Sequence, residues 1–171
     1  MELMGCVQDY LTKELGRFTE ELAGKYGVPA HEIEGDVSEF LEDKYGPAKK
    51  LAVMIFRTNQ PSILFIGQEN CTICRRCGPE LETFLMRHKD MQFFKIDYSE
   101  PEGLLYHMIH PGDRGLLPMM ALIFEGSIRM VYTGECVLPE VYKNYYISLK
   151  SEHNPKCICP QKTLATRRGK T

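Results

Sequence analysis

The sequence predicts an α/β fold: a central mixed sheet flanked by helices, preceded by a helical N-terminal extension. Residues 1–60 carry apolar side chains at helical spacing and no strand pattern. From Pro61 onward, short apolar runs bounded by turn residues alternate with helical patterns. The resulting order is strand, helix, strand, helix, strand, strand, helix. The last two strands form a hairpin, which gives an otherwise crossover-linked sheet an antiparallel end.

In the first helix Leu11, Leu15, Phe18 and Leu22 recur at steps of three and four, and Gly24 with Gly27-Val28-Pro29 ends it. A second helix is predicted over Glu34 to Tyr45, stopped by Gly46-Pro47, and a third over Ala48 to Arg57. Ser62 to Gly67 is a continuous apolar run, the mark of a strand buried on both faces. Cys71 to His88 reads as a helix, Met91 to Ile96 as a strand, and Leu104 to His110 as a short helix closed by Pro111-Gly112. Met119 to Phe124 and Ile128 to Tyr132 are strands joined through Glu125-Gly126-Ser127, a tight hairpin. Pro139 to Leu149 forms the last helix, with Val141, Tyr142, Tyr145 and Tyr146 on or near one face. The expected division is a helical extension over 1–46, an α/β domain over 47–150 and a polar, cysteine-containing tail over 151–171.

At 171 residues with 43% hydrophobic and 26% charged content, one domain with a core of useful size is expected. Lys+Arg 21 against Asp+Glu 23 leaves a net charge of -2, so no bulk positive field exists to hold nucleic acid. No apolar run approaches the ~20 residues that span a bilayer. The stretch Met1-Glu2-Leu3-Met4-Gly5 lacks the basic and apolar regions of a secretory signal, so a cytoplasmic protein without membrane or nucleic-acid partners is expected. In a reducing compartment, seven cysteines point to redox or metal chemistry rather than to structural staples.

Cys71-Thr72-Ile73-Cys74 sits where a buried strand hands over to a helix. Disulfide exchange needs a thiolate, and the unpaired N–H groups and dipole at a helix N-terminus favour one. The two-residue spacer puts the second sulfur within reach of the first, and Arg75 and Arg76 add positive charge. Cys71 is the expected nucleophile and Cys74 the resolving thiol. Structural zinc sites share this spacing but use a second close ligand pair, and here the next is Cys157/Cys159 in the tail.

Residues 47–150 resemble the thioredoxin-like superfamily of protein disulfide oxidoreductases. The C-x-x-C follows the buried strand Ile63-Leu64-Phe65-Ile66, and Pro79 falls five residues after Cys74, where the family's active-site helix carries a proline. Leu117-Pro118 stands just before a strand, where the family has its cis-proline, and Gly126 and Gly134 keep the family's spacing from it. The resemblance implies a thioredoxin-like fold with Cys71 attacking and Cys74 resolving. It also implies that Pro118 is cis and faces the pair, and that the Leu117 backbone pairs with an extended substrate, alongside Thr72 and Ile73. Thioredoxins place Trp before the first cysteine and Gly-Pro between the two, where this chain has Asn70, Thr72 and Ile73. Their buried aspartate is replaced by Phe65, so exchange either uses another base or runs slowly.

Cys77 extends the motif to C-x-x-C-x-x-C, and Cys136 follows Gly134 by two residues. Convergence of Cys71, Cys74, Cys77 and Cys136 would make a zinc or iron–sulfur site, although the fourth cysteine and proline of a ferredoxin motif are missing. A small buried residue is the plainer reading of Cys77. Cys157 and Cys159 can relay electrons or bind a soft metal. His107 and His110, at i and i+3, read as surface or capping histidines. Residues 22–41 resemble the helical half of small peptide-binding domains that accompany peptide-modifying enzymes, which makes the extension a cap or a dimerisation element.

The function expected is thiol–disulfide exchange with protein or small-molecule disulfides, without a cofactor and with a separate dithiol reductase as electron donor. The alternatives are a metal or iron–sulfur protein and a redox-sensing adaptor.

Overall fold

The computed structural model describes residues 1–111, 115–137 and 139–153. Cys157 and Cys159 lie outside the described residues.

Ten segments of regular structure follow in order: α1 (Leu3–Tyr26), α2 (Ala30–Phe56), β1 (Ser62–Gly67), α3 (Thr72–Arg87), β2 (Gln92–Asp97), a 3-10 turn (Pro101–Leu104), α4 (Leu105–Ile109), β3 (Met119–Phe124), β4 (Ser127–Thr133) and α5 (Pro139–His153). The sheet order is β2-β1-β3-β4. β1 pairs parallel with β2 and antiparallel with β3, and β3 pairs antiparallel with β4. Each predicted strand is present, and the sheet is mixed with helices on both faces.

Strand alternation divides the core in two. Leu64 and Ile66 of β1, with Met119, Ala121 and Ile123 of β3, face α1, α2 and α4. Ile63 and Phe65, with Met120, Leu122 and Phe124, face α3 and α5. Both central strands are therefore buried at every position, and Ser62 at the start of β1 is their one polar residue. On α5 the tyrosines divide, with Tyr142 and Tyr146 buried against Phe84 and Tyr145 exposed.

The predicted break at Gly46-Pro47 is absent: α2 runs unbroken from Ala30 to Phe56, so the extension has two helices, not three. Pro47 removes the N–H that would bond the Asp43 carbonyl and costs an interior helix about 3 kcal/mol. The apolar stripe Val37, Leu41, Tyr45, Ala48, Ala52 and Ile55 continues at steps of three and four across the proline, and all six are buried. Tertiary burial along that stripe outweighs the local penalty. The expected boundary at 46/47 consequently falls inside a helix.

The chain start is fixed to the hairpin. Leu3 N–H donates to the Gly126 carbonyl at 2.9 Å and Ile128 N–H to the Met1 carbonyl at 2.8 Å. Gly126 has φ 74° and lies under the Phe56 ring, where a Cβ would stand 2.5 Å from a ring carbon. Only glycine meets both conditions without strain.

Candidate active site

β1 ends at Gly67, a turn follows, and α3 begins with Cys71 as its N-cap. That cap position puts the sulfur among the unpaired amides of the first turn. The Cys74 N–H donates to Cys71 Sγ at 3.1 Å. Cys71 and Cys74 are joined by a disulfide, with Cα atoms 5.2 Å apart. Cys71 is half-buried while Cys74 is 6% exposed, so the first sulfur is the one that meets solvent.

The Leu117–Pro118 peptide bond is cis. Cys71 Sγ lies 3.8 Å from the Leu117 carbonyl oxygen. A disulfide sulfur carries no proton, so this is a contact, and the reduced thiol would donate across it. Three successive carbonyls of this loop have separate partners. Leu116 accepts from the Tyr106 hydroxyl at 3.1 Å, Leu117 faces Cys71, and Pro118 accepts from the Gly134 N–H at 3.0 Å. Gly134, at φ 74°, sits against the Leu116 side chain.

Thr72 and Ile73 are exposed at the tip of α3, and Leu116 is exposed beside Leu117. Together with half-buried Leu117 they give the surface around Cys71 an apolar character, and Arg75 and Arg76 are exposed next to it. On the other side of Cys74 an open groove of ≈ 580 Å³ is lined by Phe65, Gly67, Arg75, Glu82, Lys95 and Asp97, among others. Phe65, which stands where the resembled family carries a buried aspartate, is a buried apolar neighbour of the pair.

Cys77 is buried one turn after Cys74, and Cys136, from the segment after β4, packs against the same core cluster. Burial first, and then Cys136, hold the Cys77 thiol well above the ordinary cysteine range. Both are free thiols. Among the described residues no group of three or more His, Cys, Asp or Glu side chains is placed to share a metal ion. The four-cysteine cluster is thus not assembled here, because Cys71 and Cys74 bond to each other. His107 bonds the Tyr98 hydroxyl at 2.9 Å.

Sequence reasoning missed Tyr106 and Gly67. A Cβ at Gly67 would stand 2.7 Å from the Phe65 ring and 3.3 Å from Cys74 Sγ, so a side chain at the end of β1 would crowd the pair. The glycine was visible, but only as a strand terminator. Tyr106 gave no signal beyond its place in an apolar helix.

The strand order, the disulfide at the start of α3 and the cis Leu117–Pro118 bond beside it define a thioredoxin-like fold, carried together with an N-terminal helical pair. The solved structures it resembles include mitochondrial thioredoxin 3 from Saccharomyces cerevisiae in its oxidized form, at 16% identity over 58% of this chain and 88% of that one, with a TM-score of 0.47. Desulfothioredoxin from Desulfovibrio vulgaris Hildenborough in its reduced form is similar at 20% identity, over 57% of this chain and 88% of that one, TM-score 0.47. Plasmodium falciparum thioredoxin is similar at 19% identity, over 58% and 91%, TM-score 0.46. No family model matches the chain, and no curated protein is significantly similar to it in sequence.

Proposed function

We propose that the protein is a thiol–disulfide oxidoreductase acting through Cys71 and Cys74. The observation that carries this reading is the unequal pair: a disulfide whose solvent-facing sulfur caps α3 and accepts the Cys74 N–H, while its partner is buried.

In the reduced state the Cys74 N–H and the helix dipole stabilise negative charge on Cys71 Sγ. The Cys71 thiolate attacks one sulfur of a substrate disulfide. A Cys71–substrate bond forms, the substrate S–S bond breaks, and the first substrate thiolate leaves and takes a proton from solvent. Cys74 then loses its proton and attacks Cys71 Sγ, which releases the second substrate thiol and leaves the Cys71–Cys74 disulfide. A separate dithiol donor returns the two electrons. An extended substrate backbone would lie along Leu117, with Thr72, Ile73 and Pro118 forming the rest of the rim. With Phe65 against the pair, the proton of Cys74 leaves without a carboxylate on β1 to accept it.

Reduction of insulin by dithiothreitol tests the reading. The full chain is expected to accelerate it, and Cys71→Ser to fall to the uncatalysed rate. A Cys71→Ser protein with full activity would remove Cys71 as nucleophile. An inactive parent protein, fully reduced at the start, would remove the activity itself.

A further inference from the structure

Two free thiols sit beside the Cys71–Cys74 pair without being part of it. Cys77 lies on the buried face of α3, one turn beyond Cys74. Cys136 lies in the segment after β4, two residues past Gly134. The two are 59 positions apart in sequence (136 minus 77), yet both neighbours of Cys136, Glu135 and Val137, line one small cavity together with Cys77. Both pack into the core cluster that contains Cys74 and Phe65. The cavity, of ≈ 10 Å³, is also lined by Pro118 and Tyr142. The surrounding apolar side chains exclude charge from Cys77, whereas Cys136 is half-buried and reachable.

We propose that Cys77 and Cys136 are a second redox couple, a dithiol that low-molecular-weight disulfides of the glutathione disulfide type oxidise to a disulfide linking α3 to the β4–α5 segment. The steps follow from the unequal exposure. The Cys136 thiolate attacks one sulfur of the small disulfide; the Cys136–sulfur bond forms, the S–S bond breaks, and one small thiolate leaves and is protonated. Cys77 then gives up its proton and its thiolate attacks Cys136 Sγ. The second small thiol departs and the Cys77–Cys136 bond is complete. Two protein thiols are oxidised and one small disulfide is reduced to two thiols. Cys77 takes the second step because it is buried, while half-buried Cys136 is the thiol that a small disulfide can reach first. The bond would staple the helix that carries Cys71 to the segment whose Gly134 N–H holds the Pro118 carbonyl. In its dithiol form the couple would hold two electrons beside the pair proposed to exchange them, and the disulfide would be its spent form.

The full-length protein is reduced, freed of reductant, treated with excess glutathione disulfide, alkylated, and digested without reduction for mass spectrometry. The expected result is a cross-linked peptide pair containing Cys77 and Cys136, in addition to the Cys71–Cys74 product. In Cys77→Ser, Cys136 is expected to remain as the glutathione mixed disulfide; in Cys136→Ser, Cys77 is expected to remain a free thiol. The measurement on the unsubstituted protein stands even if a variant fails to fold. Cys77 and Cys136 both still alkylatable after treatment, or either one joined to Cys6, Cys157 or Cys159 instead, would overturn the proposal.

Discussion

The hydroxyl of Tyr106, a side chain fully enclosed in the core, donates to the carbonyl of Leu116 at 3.1 Å. A residue of α4 thereby holds the loop that faces Cys71. Tyr106→Phe keeps the ring and loses that bond, at an expected cost of about 1 kcal/mol in unfolding free energy. Because the loop is the surface against which substrate would lie, KM for a disulfide substrate is expected to rise more than kcat falls. Denaturant unfolding and initial-rate kinetics on the same variant separate the two effects.

Cys74→Ser leaves the expected nucleophile in place and removes the group that releases it. Incubated with a disulfide substrate, this variant is expected to accumulate a covalent complex through Cys71 that dithiothreitol reverses. Cys71→Ser is expected to form none. Non-reducing electrophoresis reads both, and a complex held through Cys74 in the latter variant would reverse the assigned order.

Gly67→Ala pushes a methyl group into the space between Phe65 and Cys74. The ring contact at 2.7 Å is too short for any side chain, so Phe65 or the end of β1 must move. Overpacking of this kind costs about 1–3 kcal/mol. The variant is expected to lose that much stability and to alter the Cys71–Cys74 potential, measured by equilibration against glutathione buffers.

Pro47→Ala is expected to stabilise the protein by about 1–3 kcal/mol, since α2 is already continuous there and alanine restores the missing helix bond. Chemical denaturation measures it. A loss of stability would mean that the proline ring contributes more packing than its missing N–H costs.

Asp90 ties α5 to the segment before β2. Lys150 Nζ lies 2.7 Å from one carboxylate oxygen and the Tyr146 hydroxyl donates at 2.7 Å. The hydrogen bond from Lys150, ahead of that from Tyr146, holds the Asp90 carboxyl below the usual carboxylate range. A depressed pKa means that the folded state favours the ionised form. Its stabilisation is therefore present above the unfolded-state pKa and is lost as pH falls through the folded-state one. Asp90→Asn is expected to be slightly less stable than the parent at neutral pH, with the gap closing as pH falls below the ordinary carboxylate range. Urea midpoints at several pH values check the sign.

Much of this architecture could be read from residues alone because the signals were local. The run from Ile63 to Ile66 had to be a strand buried on two sides, and Cys71 had to cap a helix because a polar turn separated it from that strand. Leu117-Pro118 was placed beside the pair by resemblance. What escaped was non-local. Gly46-Pro47 carries a strong local stop signal, yet the stripe from Val37 to Ile55 finds burial on both sides of it. The nearness of Cys136 to Cys77 was expected only through the resemblance, because it depends on how the β4–α5 segment folds back over α3. Tyr106 looked like one more apolar-helix residue until its hydroxyl was seen to have a partner.

The uninterrupted α2 has a consequence for dissection of the molecule. Its buried stripe joins Leu3 and Val7 of α1 to Leu64, Ile66 and Ala121 of the sheet in one cluster. A fragment starting at residue 47 would sever that helix midway and uncover the greasy underside of β1 and β3. Such a fragment is expected to be sticky and poorly folded, and heating of the intact chain should melt the helical pair and the sheet in one cooperative event.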